Sequence, residues 1–200
     1  LTPMRYAWDQ FGEYFGAART GRAGEAVYRP IMSWLARWDA STSNRPDTFV
    51  AISRYVADRI ARYYARRADV VYPPVDTGFF CPDGTDPARS ALVVSALVPY
   101  KRVDLAIDAC ARAGVPLRII GDGPELSRLR RLAGPGVSFS GWIPSEDIRA
   151  AYRQAGVVLL PGVEDFGIVP LEAQACGRPV VAVAEGGALE TAPTATTRVP

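Results

Sequence analysis

Through the second part of the chain, short apolar runs alternate with stretches of helical spacing. Residues 92–95, 116–120, 137–139, 157–160 and 179–183 read as strands, apolar enough for a sheet covered on both faces. Between them, Val103, Ala106, Ile107 and Cys110 recur at the spacing of an amphipathic helix, predicted over 101–113 and opened by Lys101. Leu126, Leu129 and Leu132 continue a second helix, with Pro124 suited to its first turn. Ser145, followed by Glu146 and Asp147, reads as the N-cap of a third. A fourth is predicted over 167–176. Strands and helices alternating at this spacing predict βαβ units and a parallel sheet, so residues 88–190 read as a doubly wound α/β domain.

The first part carries a sparser pattern. Residues 48–52 and 69–72 read as strands. Ser53 reads as the cap of a helix reaching about residue 66. Upstream, Val27, Ile31, Trp34, Leu35 and Trp38 form an apolar stripe on a helix predicted to start near Pro30. Two strands do not make an independent doubly wound domain. The first part therefore reads as the second half of an α/β domain whose first half is missing or is supplied by another chain. Its open strands would expose apolar surface, which predicts a homodimer.

The two parts meet at a turn-rich segment. Tyr72-Pro73-Pro74-Val75-Asp76 is followed by Gly78, Pro82, Asp83, Gly84, Asp86 and Pro87, a linker composition. The expected division is 1–75 and 76–200. No internal repeat or low-complexity tract is present.

Composition removes several classes of chemistry. The chain has 200 residues, of which 23 are basic and 21 acidic, a net charge of +2. That balance does not suggest a nucleic-acid partner. The absence of histidine rules out Ser-His-Asp and Cys-His catalysis within the chain and every His-ligated metal. Cys81, Cys110 and Cys176 are too scattered for a zinc knuckle or a disulfide framework. No apolar run approaches the ~18 residues of a membrane span. The opening residues show no signal-peptide pattern, so a reducing, cytoplasmic setting is expected. Lys101 is the only lysine.

In open α/β sheets ligands bind beyond the carboxyl ends of the strands. Five loops are predicted on that rim, holding Lys101 and Arg102, Gly121-Asp122-Gly123-Pro124, Ser140-Gly141-Trp142-Ile143, Glu164-Asp165-Phe166-Gly167 and Glu185-Gly186-Gly187. The stretch from Glu164 to Glu172 is the most informative. Glu164 lies in a loop, and Glu172 on the helix after it, between apolar neighbours. Gly167 lets backbone N–H groups approach a ligand, and the helix from Ile168 offers free donors to a phosphate. Carboxylates beside a phosphate site suit the vicinal hydroxyls of a ribose or hexose. An ammonium at Lys101 can meet a diphosphate, or remain an exposed charge. Asp122 either accepts from a ligand or shapes its turn. Trp142 either stacks on a base or packs at the strand end. Cys176 reads as a small apolar core residue.

These residues carry a family resemblance. Residues 91–190 resemble the donor-binding domain of family 4 retaining glycosyltransferases, which have the GT-B fold. The matching stretches are Ser95-Ala-Leu-Val-Pro-Tyr-Lys101, Ile120-Gly-Asp-Gly-Pro124, Phe139-Ser-Gly-Trp142, Glu164-Asp-Phe-Gly-Ile-Val-Pro-Leu-Glu172, Ala175-Cys-Gly-Arg-Pro-Val180 and Gly186-Gly-Ala-Leu-Glu190. Residues 2–80 resemble the later part of the acceptor-side domain. Thr2-Pro-Met-Arg-Tyr-Ala-Trp-Asp9 and Val71-Tyr-Pro-Pro-Val-Asp76 point to a branch with bacterial polysaccharide mannosyltransferases.

The resemblance implies the following roles. Glu164 holds the hexose hydroxyls near the reacting carbon, and Glu172 the ribose hydroxyls. Lys101 neutralises the diphosphate leaving group in place of a metal. Phe166, Gly167 and Ile168 contact phosphate or sugar, Trp142 and Ile143 meet the base, and Gly121, Asp122, Gly123, Asp165 and Leu171 complete the donor pocket. Three departures stand out. Ser95-Ala96-Leu97 replaces a Gly-Arg-Leu-like turn, so Arg102 or Arg5 would assist Lys101. Leu1 stands where many members have a histidine. The tail after Glu190 lacks the family's last strand and closing helices, so both ends read as cut.

The expected function is retaining hexosyl transfer from GDP-mannose or a UDP-hexose to a glycan or lipid-linked acceptor, with no metal or other cofactor. One alternative is a nucleotide-sugar-binding module with little transfer. Another is a peripheral membrane protein at the inner face of the cell membrane, using Arg29, Arg37 and the tryptophan stripe on anionic lipid.

Overall fold

The computed structural model describes residues 2–192. The chain divides into two units, Leu1–Pro73 and Pro74–Pro200. The departures expected at Leu1 and in the tail from residue 193 lie outside the described residues.

The first unit contains α1 (Arg5–Trp8), α2 (Phe11–Phe15), α3 (Ala17–Thr42), β1 (Val50–Ala51), α4 (Arg54–Tyr64) and β2 (Asp69–Val70). β1 and β2 pair in parallel as a sheet of their own. Ser53 caps α4 as its sequence predicts, its Oγ accepting from the Val56 N–H at 3.0 Å. The apolar cluster is small: Ala51, Val56 and Ile60. A polar clamp supplements it. Buried Arg59 on α4 donates from Nε to Asp9 at 2.7 Å, from Nη2 to the Pro3 carbonyl at 3.0 Å, and from Nη1 to the Thr2 hydroxyl. Asp39 accepts from Trp8 at 2.9 Å and from Tyr64 at 2.6 Å.

One prediction here fails. The helix does not start near Pro30; α3 runs through it, broken only at Gly21, where φ is +72°. Proline deprives the Ala26 carbonyl of its helical donor. Ala26 and Pro30 are both exposed, so water replaces the bond. The stripe lies outward: Val27, Ile31, Trp34 and Trp38 are exposed, with Trp34 at 60%.

The second unit contains β3 (Ala91–Val94), a 3-10 turn (Pro99–Lys101), α5 (Val103–Ala113), β4 (Leu117–Ile120), α6 (Leu126–Leu132), β5 (Val137–Gly141), α7 (Ser145–Gln154), β6 (Val157–Leu160), α8 (Ile168–Ala175), β7 (Val180–Ala182) and α9 (Ala188–Thr191). The sheet is wholly parallel, in the order β5-β4-β3-β6-β7. Successive residues of a strand face opposite sides. Accordingly Ala91 and Val93 join Val103, Ile107 and Leu129 in one core, while Leu92 joins Tyr152, Val158, Ala173 and Cys176 in the other. Helices thus cover both faces, as the apolar strands require.

Three local predictions are corrected. Ser145 is the first residue of α7, behind Pro144, and its side chain caps nothing. Pro124 lies in the turn before α6, with Glu125 at the cap position. Lys101 does not open α5 but ends the 3-10 turn; Arg102, at φ +48°, separates the two.

Candidate active site

β3 sits at the centre of the order, and the chain turns to opposite faces after β3 and after β6. The crevice beyond these two neighbouring strands is the topological switch point, where such sheets bind ligands. Lys101 follows β3 and Glu164 follows β6. The loops touch through Gly162, where an added Cβ would lie 2.6 Å from the Lys101 Cα and from the Tyr100 carbonyl oxygen. Only glycine permits that approach. The contact brings the Lys101 ammonium onto Glu164 Oε1, an ion pair with each side chain 15% exposed. The ammonium also lies 5.1 Å from the centroid of the Tyr100 ring. Glu164 is held through its backbone, which bridges Gly186 in parallel and accepts from the Gly187 N–H at 2.8 Å.

The chain continues past half-buried Asp165 into buried Phe166, whose carbonyl accepts from the Thr191 hydroxyl at 3.2 Å. Gly167, at φ +89°, turns it into α8. Ile168 is exposed at the helix start, and Leu171 is half-buried. The first N–H groups of α8 lack helical acceptors and carry the positive end of its dipole. Glu172 stands on the second turn. Its Oε2 accepts from the Tyr152 hydroxyl at 2.8 Å. Burial pushes the Glu172 carboxyl above its ordinary range, opposed by that hydrogen bond.

The next rim loop continues the sheet. Ser95 N–H donates to the Ile120 carbonyl at 3.0 Å, Leu97 N–H to Asp122 at 2.9 Å, and Gly121 N–H to Gly141 at 2.8 Å. Asp122 Oδ1 accepts from the Gly123 N–H at 2.7 Å, so this carboxylate shapes its own turn. Trp142 is 80% exposed, which removes the packing alternative. Ile143 is half-buried against the Tyr152 core. Arg102 engages Asp104, at 3.2 Å from its Nε. Arg5 belongs to the first unit, on α1.

The structure therefore pairs Lys101 with Glu164 and sets Glu172 against a partner that the sequence reading missed. Tyr152 occupies the apolar face of α7 with Ile148 and Ala151, a position indistinguishable in sequence from core packing. Its one signal is a hydroxyl where phenylalanine would pack equally well.

The family model for group 1 glycosyl transferases matches residues 85–199. The chain belongs to this family. It is 37% identical to a GDP-mannose-dependent alpha-(1-6)-phosphatidylinositol monomannoside mannosyltransferase of Mycolicibacterium smegmatis, over 74% of this chain and 47% of that protein. It is 34% identical to a D-inositol 3-phosphate glycosyltransferase of Segniliparus rotundus, over 70% of this chain and 38% of that one. This group 1 chain spans about half the length, or less, of these curated relatives. In structure it resembles Anabaena HepE in complex with UDP-glucose, with a TM-score of 0.70 at 24% identity over 78% of this chain and 50% of the other. It also resembles sucrose-phosphate synthase of Thermosynechococcus elongatus, with a TM-score of 0.65 at 21% identity over 76% and 44%. The fold is GT-B-like, an α/β architecture with a Rossmann-type parallel sheet.

Proposed function

We propose that the chain transfers a hexose, with mannose the first candidate, from a nucleotide sugar to a glycan or lipid-linked acceptor, with retention at the anomeric carbon. The observation that carries this reading is the Lys101–Glu164 pair at the switch point, just ahead of the free N–H groups of α8. In this reading the donor diphosphate enters between Lys101 and the helix start and draws the ammonium from Glu164. The bond from hexose C1 to the diphosphate oxygen breaks, and its electron pair leaves with the diphosphate. The acceptor oxygen bonds C1 on the same face and its proton passes to the departing phosphate. Fixed positive charge at Lys101, without a metal, stabilises that leaving group, where charge develops most. Glu164 orients the hexose hydroxyls and Glu172 the ribose diol.

GDP-mannose ranks first because the relatives include GDP-mannose-dependent mannosyltransferases. A UDP-hexose ranks second, from the HepE complex with UDP-glucose. Calorimetric titration with GDP-mannose and UDP-glucose tests the site. Lys101→Ala is expected to lower transfer roughly 10²-fold, the size of losing one preorganised charge at a developing anion. Transfer unchanged in that variant would overturn the reading. The anomeric coupling of the product decides retention.

The second reading is a donor-binding module without transfer. Saturable donor binding with no product from any mannosyl or glucosyl acceptor would establish it. Two partner proposals accompany the function. No helix among the described residues is long and apolar enough to cross a membrane, so lipid contact would be peripheral, through the Trp34 and Trp38 stripe and Arg37. Flotation with anionic vesicles tests it. Homodimer formation, proposed from exposed Val50 and Val71, is tested by solution mass.

A further inference from the structure

We infer that Tyr152 is a positioning residue that orients the Glu172 carboxylate for the ribose diol of the donor. This rests on the reading of Glu172 given above.

The Tyr152 side chain is fully buried among Leu92, Ile120, Val158, Ala173 and Cys176. Phenylalanine would fill the same volume without a polar atom to satisfy. A buried hydroxyl costs free energy unless it is hydrogen-bonded. The Tyr152 hydroxyl meets that requirement on one group, donating to Glu172 Oε2 at 2.8 Å. The bond crosses from α7 to α8, so it fixes a side chain that its own helix leaves free to rotate.

One oxygen of Glu172 is thereby occupied by a hydroxyl on a fully buried ring. Phe80 meets it edge-on, with centroids 5.9 Å apart. Arg153, next along α7, donates to the Cys81 carbonyl at 2.7 Å, and Arg149 lies 4.3 Å from the centroid of the Phe79 ring. The 79–81 segment is thus fastened over α7 by both arginines. A carboxylate held this way presents its remaining lone pairs in one direction, as bidentate recognition of two vicinal hydroxyls demands.

The bond also acts on charge. Burial raises the Glu172 carboxyl, and the Tyr152 hydrogen bond lowers it. Among the described residues, the titratable groups around Glu172 are Tyr152 from α7 and, one turn along the chain, Cys176, with Arg149, Arg153 and Cys81 beyond that thiol. Removing the hydroxyl leaves burial unopposed, so the carboxyl takes its proton at a higher pH.

The test uses the whole chain, with UDP and GDP as probes against their 2′-deoxy counterparts. For whichever base binds, the ratio of deoxy to ribo Kd measures recognition of the diol alone. Tyr152→Phe is expected to reduce that ratio about tenfold, the worth of a hydrogen bond to a charged group. It is also expected to move the acid limb of ribonucleotide binding to higher pH, with the melting temperature little changed. Glu172→Gln is expected to abolish the discrimination, and adding Tyr152→Phe to it should cost nothing further. If Glu172→Gln abolishes discrimination while Tyr152→Phe keeps both the ratio and the pH profile, the positioning role is overturned and Glu172 stands. If Glu172→Gln keeps the discrimination, or the folded wild-type chain binds neither nucleotide, the site reading and this inference fall together.

Discussion

The two units hold themselves together by different means. The second has a five-stranded sheet with an apolar core on each face, and its strands are legible as apolar runs. The first has two strands of two residues each and a small apolar cluster built on Ala51, Val56 and Ile60. Directional polar contacts supplement it, Arg59 on Asp9, Thr2 and Pro3, and Asp39 under Trp8 and Tyr64, beside aromatic pairs such as Trp8 on Tyr63. Apolar burial is non-directional and tolerates repacking, whereas a buried guanidinium is costly as soon as one partner is lost. The difference is one of failure mode: the second unit should break by steric intrusion, the first by deletion of a single polar group.

The sharpest test of the second unit is Gly121→Val. Gly121 has φ +133°, and a Cβ there would be driven into the Ser95 carbonyl oxygen. Strained backbone and overpacking together are expected to cost about 4 kcal/mol, read as loss of the unit's cooperative melting. A variant melting within a few degrees of wild type would show that this crossing is soft.

Arg59→Met comes next. It keeps most of the apolar stem but strips Asp9 and the Pro3 carbonyl of their donor, at a cost of about 3 kcal/mol. Hydrogen exchange should accelerate through residues 2–9 and 54–64 while the 91–182 sheet keeps its protection. Equal acceleration in both units would erase the contrast drawn here. Ser53→Ala removes the α4 cap bond and is expected to cost about 1 kcal/mol, confined to the same unit.

The smallest expected effect concerns Glu172. Its carboxyl is raised in the folded chain by burial, so the native state holds this proton more tightly than the unfolded state does. Stability from this group therefore rises as pH falls through the folded value toward the unfolded one, and is lost above it. Glu172→Gln should raise the melting temperature by about 1–3 °C at pH 7 and flatten its dependence on acid. A lower midpoint at pH 7 would mean the ionised carboxylate is structural. The predicted gain in stability at the expense of binding is the usual sign of a site kept for function.

Each unit had legible and illegible parts. The strands of the second unit were legible because a sheet buried on both faces needs unbroken apolar runs. Ser53 was legible because a cap needs its oxygen at one position. Pro30 misled, because proline suits a first turn yet is tolerated at an exposed interior position where water can satisfy the freed carbonyl. The start of α5 lies two residues past Lys101, a shift the sequence hides because the left-handed Arg102 leaves no compositional mark. The exposure of Trp142 was not legible, because an aromatic at a strand end more often packs.

By itself, the sequence determined the α/β class, the order of elements in the second unit and the rim on which Lys101, Glu164 and Glu172 fall, since periodicity and turn residues act over a few positions. Only the tertiary structure decided the pairs. That Lys101 meets Glu164 depends on β3 and β6 lying side by side and on Gly162 letting their loops touch, 63 residues apart in the chain. That Tyr152 faces Glu172 depends on α7 and α8 packing on one face of the sheet. Contacts across such separations are set by which strands neighbour one another, and no local pattern encodes that.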